Sequence, residues 1–210
     1  MNKIVRLVIE WDAFEQKNPG AEIADFCRYY LINEKQQDEA LMVKGAKPPS
    51  DHSLLMKTIG FITYAFDVYY KAAMSQTKLP FTEAFYFLNT LRFVGEVTKT
   101  DLITHTMVEY TTGIDSIAKL VRAGLISERQ HDTDKRAKLL KLTAEGEELL
   151  FSCYPYIGKA TEMIFGGLDK DTVKLCISIL SRVEVKHTAL AMAVRHMDFE
   201  EMYAKVMAER

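Results

Sequence analysis

Apolar residues recur along most of this chain at the alternating three-and-four spacing that gives a helix one apolar side. Near the start, Ile4, Val8 and Trp11, with Leu7 and Phe14, form one such stripe, and after an Asn18-Pro19-Gly20 turn a second carries Ile23, Phe26, Cys27 and Tyr30. Residues 36–49 lose the pattern and end at Pro48-Pro49, so they read as a looser connection. Ser50 then caps a long helix in which Leu55, Ile59, Ile62, Phe66, Tyr69 and Ala73 sustain the stripe for about five turns, a length that calls for another long helix beside it. Residues 75–80 interrupt, and 81–94 resume as a short helix with Phe85, Leu88 and Leu91 inward. Beyond Thr143 the pattern predicts a helix through Glu147, Leu149, Leu150, Tyr154 and Ile157, strained near Pro155 and ending around Gly166-Gly167. Asp169 caps the next, with Val173, Cys176, Ile177, Leu180 and Val183 on one face, and a last helix repeats Phe199, Met202 and Val206.

Between Thr98 and Thr143 the periods are shorter. Thr98-Lys99-Thr100-Asp101 has capping-box spacing ahead of a short helix with Leu102, Ile103 and Met107, and Thr112-Gly113-Ile114-Asp115 repeats the device, leaving room for only a tight turn between. In the second helix Ile114, Ile117, Ala118 and Val121 are expected to face the core, which sends Asp115, Ser116, Lys119 and Arg122 outward. Gly124 can take the left-handed conformation that stops a helix. Leu125 and Ile126 then begin a strand, His131 to Lys135 turn it, and Leu140 and Leu142 bring it back with Lys138 and Lys141 alongside. Helix, turn, helix and charged hairpin outline a winged helix-turn-helix, whose second helix can enter a major groove with its first backbone N–H groups toward phosphate.

Net charge is −2 over 210 residues, which argues against DNA until it is divided. From Thr111 to Lys141 seven Lys or Arg face four acids, so this segment is +3 and the remaining residues −5. A duplex responds to the local field within roughly 10 Å at 0.1 M salt, so the basic segment is what it meets.

The stretch from Ala123 to Leu150 resembles the signature of the MarR family, the multiple-antibiotic-resistance type of transcriptional regulator: Gly124-Leu125-Ile126, then Asp134-Lys135-Arg136, then Leu142-Thr143-Ala144-Glu145-Gly146. The resemblance extends more loosely from about Ser50 to Val183. It implies a mainly α fold with a small β-hairpin wing, a dimeric winged helix-turn-helix; it does not cover the first 48 residues, where the apolar pattern alone adds extra N-terminal helices. It also implies a homodimer on a pseudo-palindromic double-stranded DNA operator, of the repressor type, released by a small lipophilic or phenolic effector. Carried onto this chain, Arg136 is the minor-groove wing arginine and Asp134 its partner. Thr111, Thr112, Asp115, Ser116 and Lys119 match the reading helix, and Thr98, Lys99, Thr100, Arg122, Lys135 and Lys138 complete the expected DNA-binding set. Asp115 can accept from cytosine N4, although capping is the simpler role. The corresponding division is 1–48 (N-terminal helical extension, dimerisation), 49–79 (long helix, dimer and core), 80–143 (DNA-binding module) and 144–210 (C-terminal helices, dimerisation).

Other chemistry finds little support. No GxGxxG, P-loop, HExxH or Ser/His/Asp arrangement occurs, and the wing carboxylates lie where nothing would raise a pKa, so an enzyme is not expected. His105 and Glu109 are too few for a metal site, and no cofactor is implied. Cys27, Cys153 and Cys176 show no CxxC spacing and are expected as buried thiols; Phe61, Tyr64, Phe66, Phe85 and Phe93 are expected as core rather than a ligand pocket. No apolar run approaches the roughly 20 residues of a membrane span, so a cytoplasmic protein is the default. Two alternatives stay open: a winged-helix protein-interaction module that has given up specific DNA binding, and a regulator whose signal is oxidation at Cys27 or Cys153.

Overall fold

The computed structural model describes residues 2–35, 50–133 and 135–209. The chain divides into two compact units, Met1–Lys57 and Thr58–Arg210. The first contains α1 (Lys3–Lys17) and α2 (Ile23–Lys35). Asn2 caps α1 by accepting the Ile4 N–H at 2.9 Å. Phe14 and Phe26 are buried, with Trp11 edge-on to Phe26 at 5.1 Å and Tyr29 4.8 Å from Phe14 between ring centroids. Aromatic pairs at these separations supply much of what so small a unit can bury. The expected connection at 36–49 lies outside the described residues.

The second unit contains most of α3 (Asp51–Met74), then α4 (Ala84–Val94), β1 (Val97–Thr98), α5 (Lys99–Thr106), α6 (Tyr110–Arg122), β2 (Ile126–Gln130), β3 (Lys138–Leu142), α7 (Ala144–Phe165), α8 (Lys170–Val194) and α9 (Phe199–Ala208). Ser50 caps α3 as expected, its Oγ accepting the Ser53 N–H at 3.2 Å. Phe87, Leu88, Leu102, Ile117, Leu120, Leu140 and Leu150 are almost fully enclosed, so the core lies where α4, α5, α6, the sheet and α7 meet. The sheet is antiparallel in the order β1-β3-β2, pairing Val97 with Leu140 and Glu128 with Leu140 from the other side. The mostly helical fold with its small wing matches expectation, with one strand more than the predicted hairpin.

The seam between α6 and α7 joins two of the sequence signatures. Gly124, at φ +72, ends α6: its N–H donates to the Val121 carbonyl and the Leu125 N–H to the Leu120 carbonyl, each at 3.0 Å, the double bond pattern of a Schellman cap. Thr143 answers across the gap. Its N–H donates to the Leu125 carbonyl at 3.1 Å, its hydroxyl donates to the Gly124 carbonyl at 2.7 Å, and the same hydroxyl oxygen accepts the Gly146 N–H at 3.0 Å. Gly146 passes so close to this turn that a Cβ on it would lie 2.2 Å from the Leu125 carbonyl oxygen.

Several expectations about burial are corrected. Cys153 is buried, but Cys27 and Cys176 are exposed on helix sides that nothing in the described chain covers. Phe85 is core and Phe66 packs against it, whereas Phe61, Tyr64 and Phe93 are exposed. The apolar face of α8 is open at Ile177, Leu180 and Val183, while Leu190 and Val194 near its end are buried. Among the described residues no helix is long and apolar enough to cross a membrane.

Candidate nucleic-acid interface

Helix α5 opens on Thr98, whose Oγ1 accepts the Asp101 N–H at 3.2 Å and donates to the Asp101 carboxylate at 2.7 Å. The Thr98 half of the first expected cap is therefore present, whereas the Asp101 carboxylate takes the Thr98 hydroxyl instead of the backbone N–H expected of it. The second is absent: α6 begins at Tyr110 behind Glu109, with no side-chain cap, and Thr112 lies inside the helix. Asp115 is likewise an exposed mid-helix residue and not a cap. The turn between the helices passes through Met107 at φ 55 and places His105 and Glu109 on opposite sides of it.

Gly113 determines how α6 sits. A Cβ there would fall 2.5 Å from Ile103 Cγ1, so Ile103 of α5 occupies the space a side chain would need, and the inward face is Gly113, Ser116, Ile117 and Leu120. The expected stripe of Ile114, Ile117, Ala118 and Val121 is rotated by about one residue: Ala118 is exposed, and Ser116, expected outward, is buried at 8% exposure. Thr111, Thr112, Asp115, Lys119 and Arg122 do share the exposed side, and Thr100 is exposed at the start of α5. Lys119 Nζ lies 5.7 Å from the Phe81 ring centroid, and Arg122 Nε donates to the Ala118 carbonyl at 3.3 Å.

The wing is laced by charge. The Arg129 guanidinium meets Glu96 through two bonds of 2.7 and 2.6 Å and Asp132 through a third of 2.8 Å. A bidentate fork of this kind fixes orientation as well as charge. Arg129 holds the Glu96 carboxyl below the usual carboxylate range, and the two acids, Glu96 first, push the guanidinium further up. On the sheet face that carries Ile126 and Leu140, Glu128 stands between two cations, Lys99 of α5 at 2.5 Å and Lys138 of β3 at 2.8 Å. Lys138, then Lys99, hold its carboxyl below the ordinary value, and only 17% of its side chain is exposed. Neither cluster was anticipated from the sequence. Glu128 and Lys138 become diagonal neighbours only once the hairpin register is known, and Glu96 precedes a strand too short to announce itself.

At the wing tip the His131 N–H donates to the Ala137 carbonyl at 3.1 Å, and Gln130 Nε2 donates to the carbonyls of Lys135 and Ala137. Lys135 and Arg136 are exposed in this turn and precede β3. Asp134, the expected partner of Arg136, lies outside the described residues. A cavity of about 580 Å³ opens beside the helix pair, between Ile103, Thr104, Met107 and Tyr110 on one side and Met192 and Arg195 of the α8 end on the other. Among the described residues no group of three or more His, Cys, Asp or Glu is placed to hold a metal ion.

A family model described as a winged helix DNA-binding domain matches residues 83–146. The chain is similar to a solved MarR family transcriptional regulator from Silicibacter pomeroyi, at 26% identity and a TM-score of 0.57, with 67% of this chain and 94% of that one covered. It is also similar to wild-type MarR from E. coli in its apo form, at 21% identity and a TM-score of 0.56, covering 66% and 98% of the two chains. A mutant E. coli MarR complexed with operator DNA matches at 20% identity and a TM-score of 0.58, covering 66% and 99%.

Proposed function

We propose that this chain, a MarR-type winged-helix protein, is a non-enzymatic, cytoplasmic, sequence-specific DNA-binding transcription regulator. The observation that carries the proposal is the division of α6: Ile117 and Leu120 are sealed in the core, while Thr111, Thr112, Asp115 and Lys119 line an exposed side next to a basic hairpin. Short hydroxyl side chains at the start of a helix can approach base edges and phosphates in a major groove, and Arg136 at the wing tip would reach the flanking minor groove. The operator-bound MarR mutant of the same fold supports this use of the module.

A homodimer would set two such modules on successive half-sites of a pseudo-palindrome, about one helical turn apart. The open apolar positions Ile177, Val183, Phe199 and Tyr203 suit burial against a second copy, and the segments 1–48 and 144–210 would enlarge that contact. Repression is the simplest consequence of such occupancy. The 580 Å³ cavity is within the size range of small-ligand sites, and Arg195 beside Met107, Tyr110 and Met192 suits a phenolic or lipophilic anion that would alter the seating of α5 and α6.

Selection of genomic fragments at two salt concentrations tests the proposal. An enriched palindromic sequence supports it; binding without sequence preference, or none, favours a protein-interaction module instead. On the selected operator, Arg136→Ala is expected to weaken binding and flatten the salt slope by about one unit per lost phosphate contact. Unchanged affinity and slope would remove the wing from the interface.

A further inference from the structure

Lys99 and Lys138 belong to different elements, one opening α5 and the other opening β3, yet both ammonium groups converge on the two oxygens of a single carboxylate, Glu128 Oε1 at 2.5 Å and Oε2 at 2.8 Å. Lys99 and Lys138 keep 33% and 54% of their side chains exposed, whereas Glu128 keeps 17%. The anion thus lies beneath and the cations above it, toward solvent. A DNA phosphate offers the same pair of charged oxygens to the same kind of donor. We infer that Glu128 is a specificity-determining residue: it stands in for phosphate in the unbound protein, offsetting half of the charge of Lys99 and Lys138 and holding both ammonium groups so that any duplex must compete for them. This inference rests on the DNA-binding reading above.

The physical consequence falls mainly on indiscriminate binding. Non-specific affinity for DNA comes from phosphate neutralisation and counterion release, whereas discrimination comes from base edges and shape. A built-in anion that occupies two cations lowers the first without touching the second. It also supplies a reason for a protein of net charge −2 to carry a basic module without adhering to every duplex. The neighbouring Arg129 is occupied in the same way, by Glu96 and Asp132, but that guanidinium is pinned by three short bonds and serves the wing's shape.

The test uses the full chain, the isosteric variant Glu128→Gln, and Glu200→Gln on α9 as a control of equal charge change. Binding to a mixed-sequence duplex is measured between about 50 and 200 mM salt. Glu128→Gln is expected to bind the duplex roughly three- to tenfold more tightly at the lower salt, because removing one charge a few ångströms from one or two phosphates is worth about that factor in water. Its salt slope should steepen by one to two units, roughly 0.9 for each phosphate newly neutralised, while Glu200→Gln changes neither quantity. Weaker or unchanged binding by Glu128→Gln overturns the inference, as does an equal gain in Glu200→Gln. A wild-type chain that binds while Glu128→Gln behaves identically leaves the DNA-binding reading standing and removes only this step; absence of binding by all three chains removes both. A melting curve of each variant separates an unfolded wing from a released pair of lysines, since an unfolded wing loses affinity and the released pair gains it.

Discussion

Gly146 and Gly158 lie in the same helix, α7, and replacing each by alanine should move stability in opposite directions. At Gly146 the new methyl would sit 2.2 Å from the Leu125 carbonyl oxygen, 2.9 Å from Leu142 Cδ1 and 3.0 Å from the Leu125 carbonyl carbon. Carbon-to-oxygen contacts settle near 3.3 Å, so α7 must retreat by about 1 Å or the turn must open. Either movement stretches the Thr143 bonds to the Leu125 and Gly124 carbonyls, at 3.1 and 2.7 Å. Overpacking of this kind costs roughly 1–3 kcal/mol, and each weakened hydrogen bond up to about 1 kcal/mol, against about 1 kcal/mol gained from alanine's better helix propensity. The net expectation is a loss of up to about 4 kcal/mol, centred on about 2, or a fall in melting temperature of up to roughly 15 °C for a chain of this size. At Gly158 nothing among the described residues lies within 4 Å of the added carbon. Only propensity acts there, so a gain of about 0.5–1 kcal/mol and a small rise in melting temperature are expected. Paired thermal unfolding of the two variants is the assay. A Gly146→Ala protein that melts at or above the wild-type temperature would show that the close crossing does not hold the two helices as described.

Two further predictions follow from charge and from exposed apolar surface. The Glu96 and Glu128 carboxyls are held below the ordinary glutamate value of 4.5, so their contribution to stability is present above that pH and is lost as pH falls through their lower folded values. The melting-temperature difference between wild type and Glu128→Gln should accordingly be largest above about pH 5 and shrink toward pH 3; a difference constant across that range contradicts the ion pairing. Ile177 is 61% exposed on α8, so Ile177→Asp costs little within one chain, about 0.5 kcal/mol of helix propensity, but places a carboxylate in any contact between copies. Sedimentation should then report the mass of a single chain, and an intact dimer would exclude that face from the contact.

Much of the module was legible from residue pattern. The end of α6 at Gly124 and the cap at Thr98 are local devices, specified by the few residues that make them. Helix α4 was legible because Phe85, Leu88 and Leu91 repeat at helical spacing and are all buried. The orientation of α6 was not, because a hydrophobic pattern counts large side chains, whereas Gly113 faces inward with Ile103 filling the space its side chain would take. Strand β1 spans Val97–Thr98 alone, too short for any alternation to show. Phe61, Tyr64 and Phe93 carry the same spacing that buries Phe85, and pattern cannot distinguish a side covered by the chain itself from one left open. The candidate contact set was legible only in part: Thr111, Thr112, Asp115, Lys119 and Arg122 are exposed as the period suggested but Ser116 is not, and the pairing of Lys99 and Lys138 on Glu128 depends on strand register and on a separate helix.

The seam at Gly124, Leu125, Thr143 and Gly146 has a mechanical consequence. Two backbone elements tied by hydrogen bonds on both sides of a methyl-free crossing have little slack between them, so any tilt of α7 about the wing's base would carry α6 with it. With 22 residues, α7 is an arm of about 33 Å, and a tilt of about 3° at the seam corresponds to a displacement of nearly 2 Å at its far end. A push of one bond length or so at that distant tip would by this geometry correspond to only a few degrees of yaw in α6.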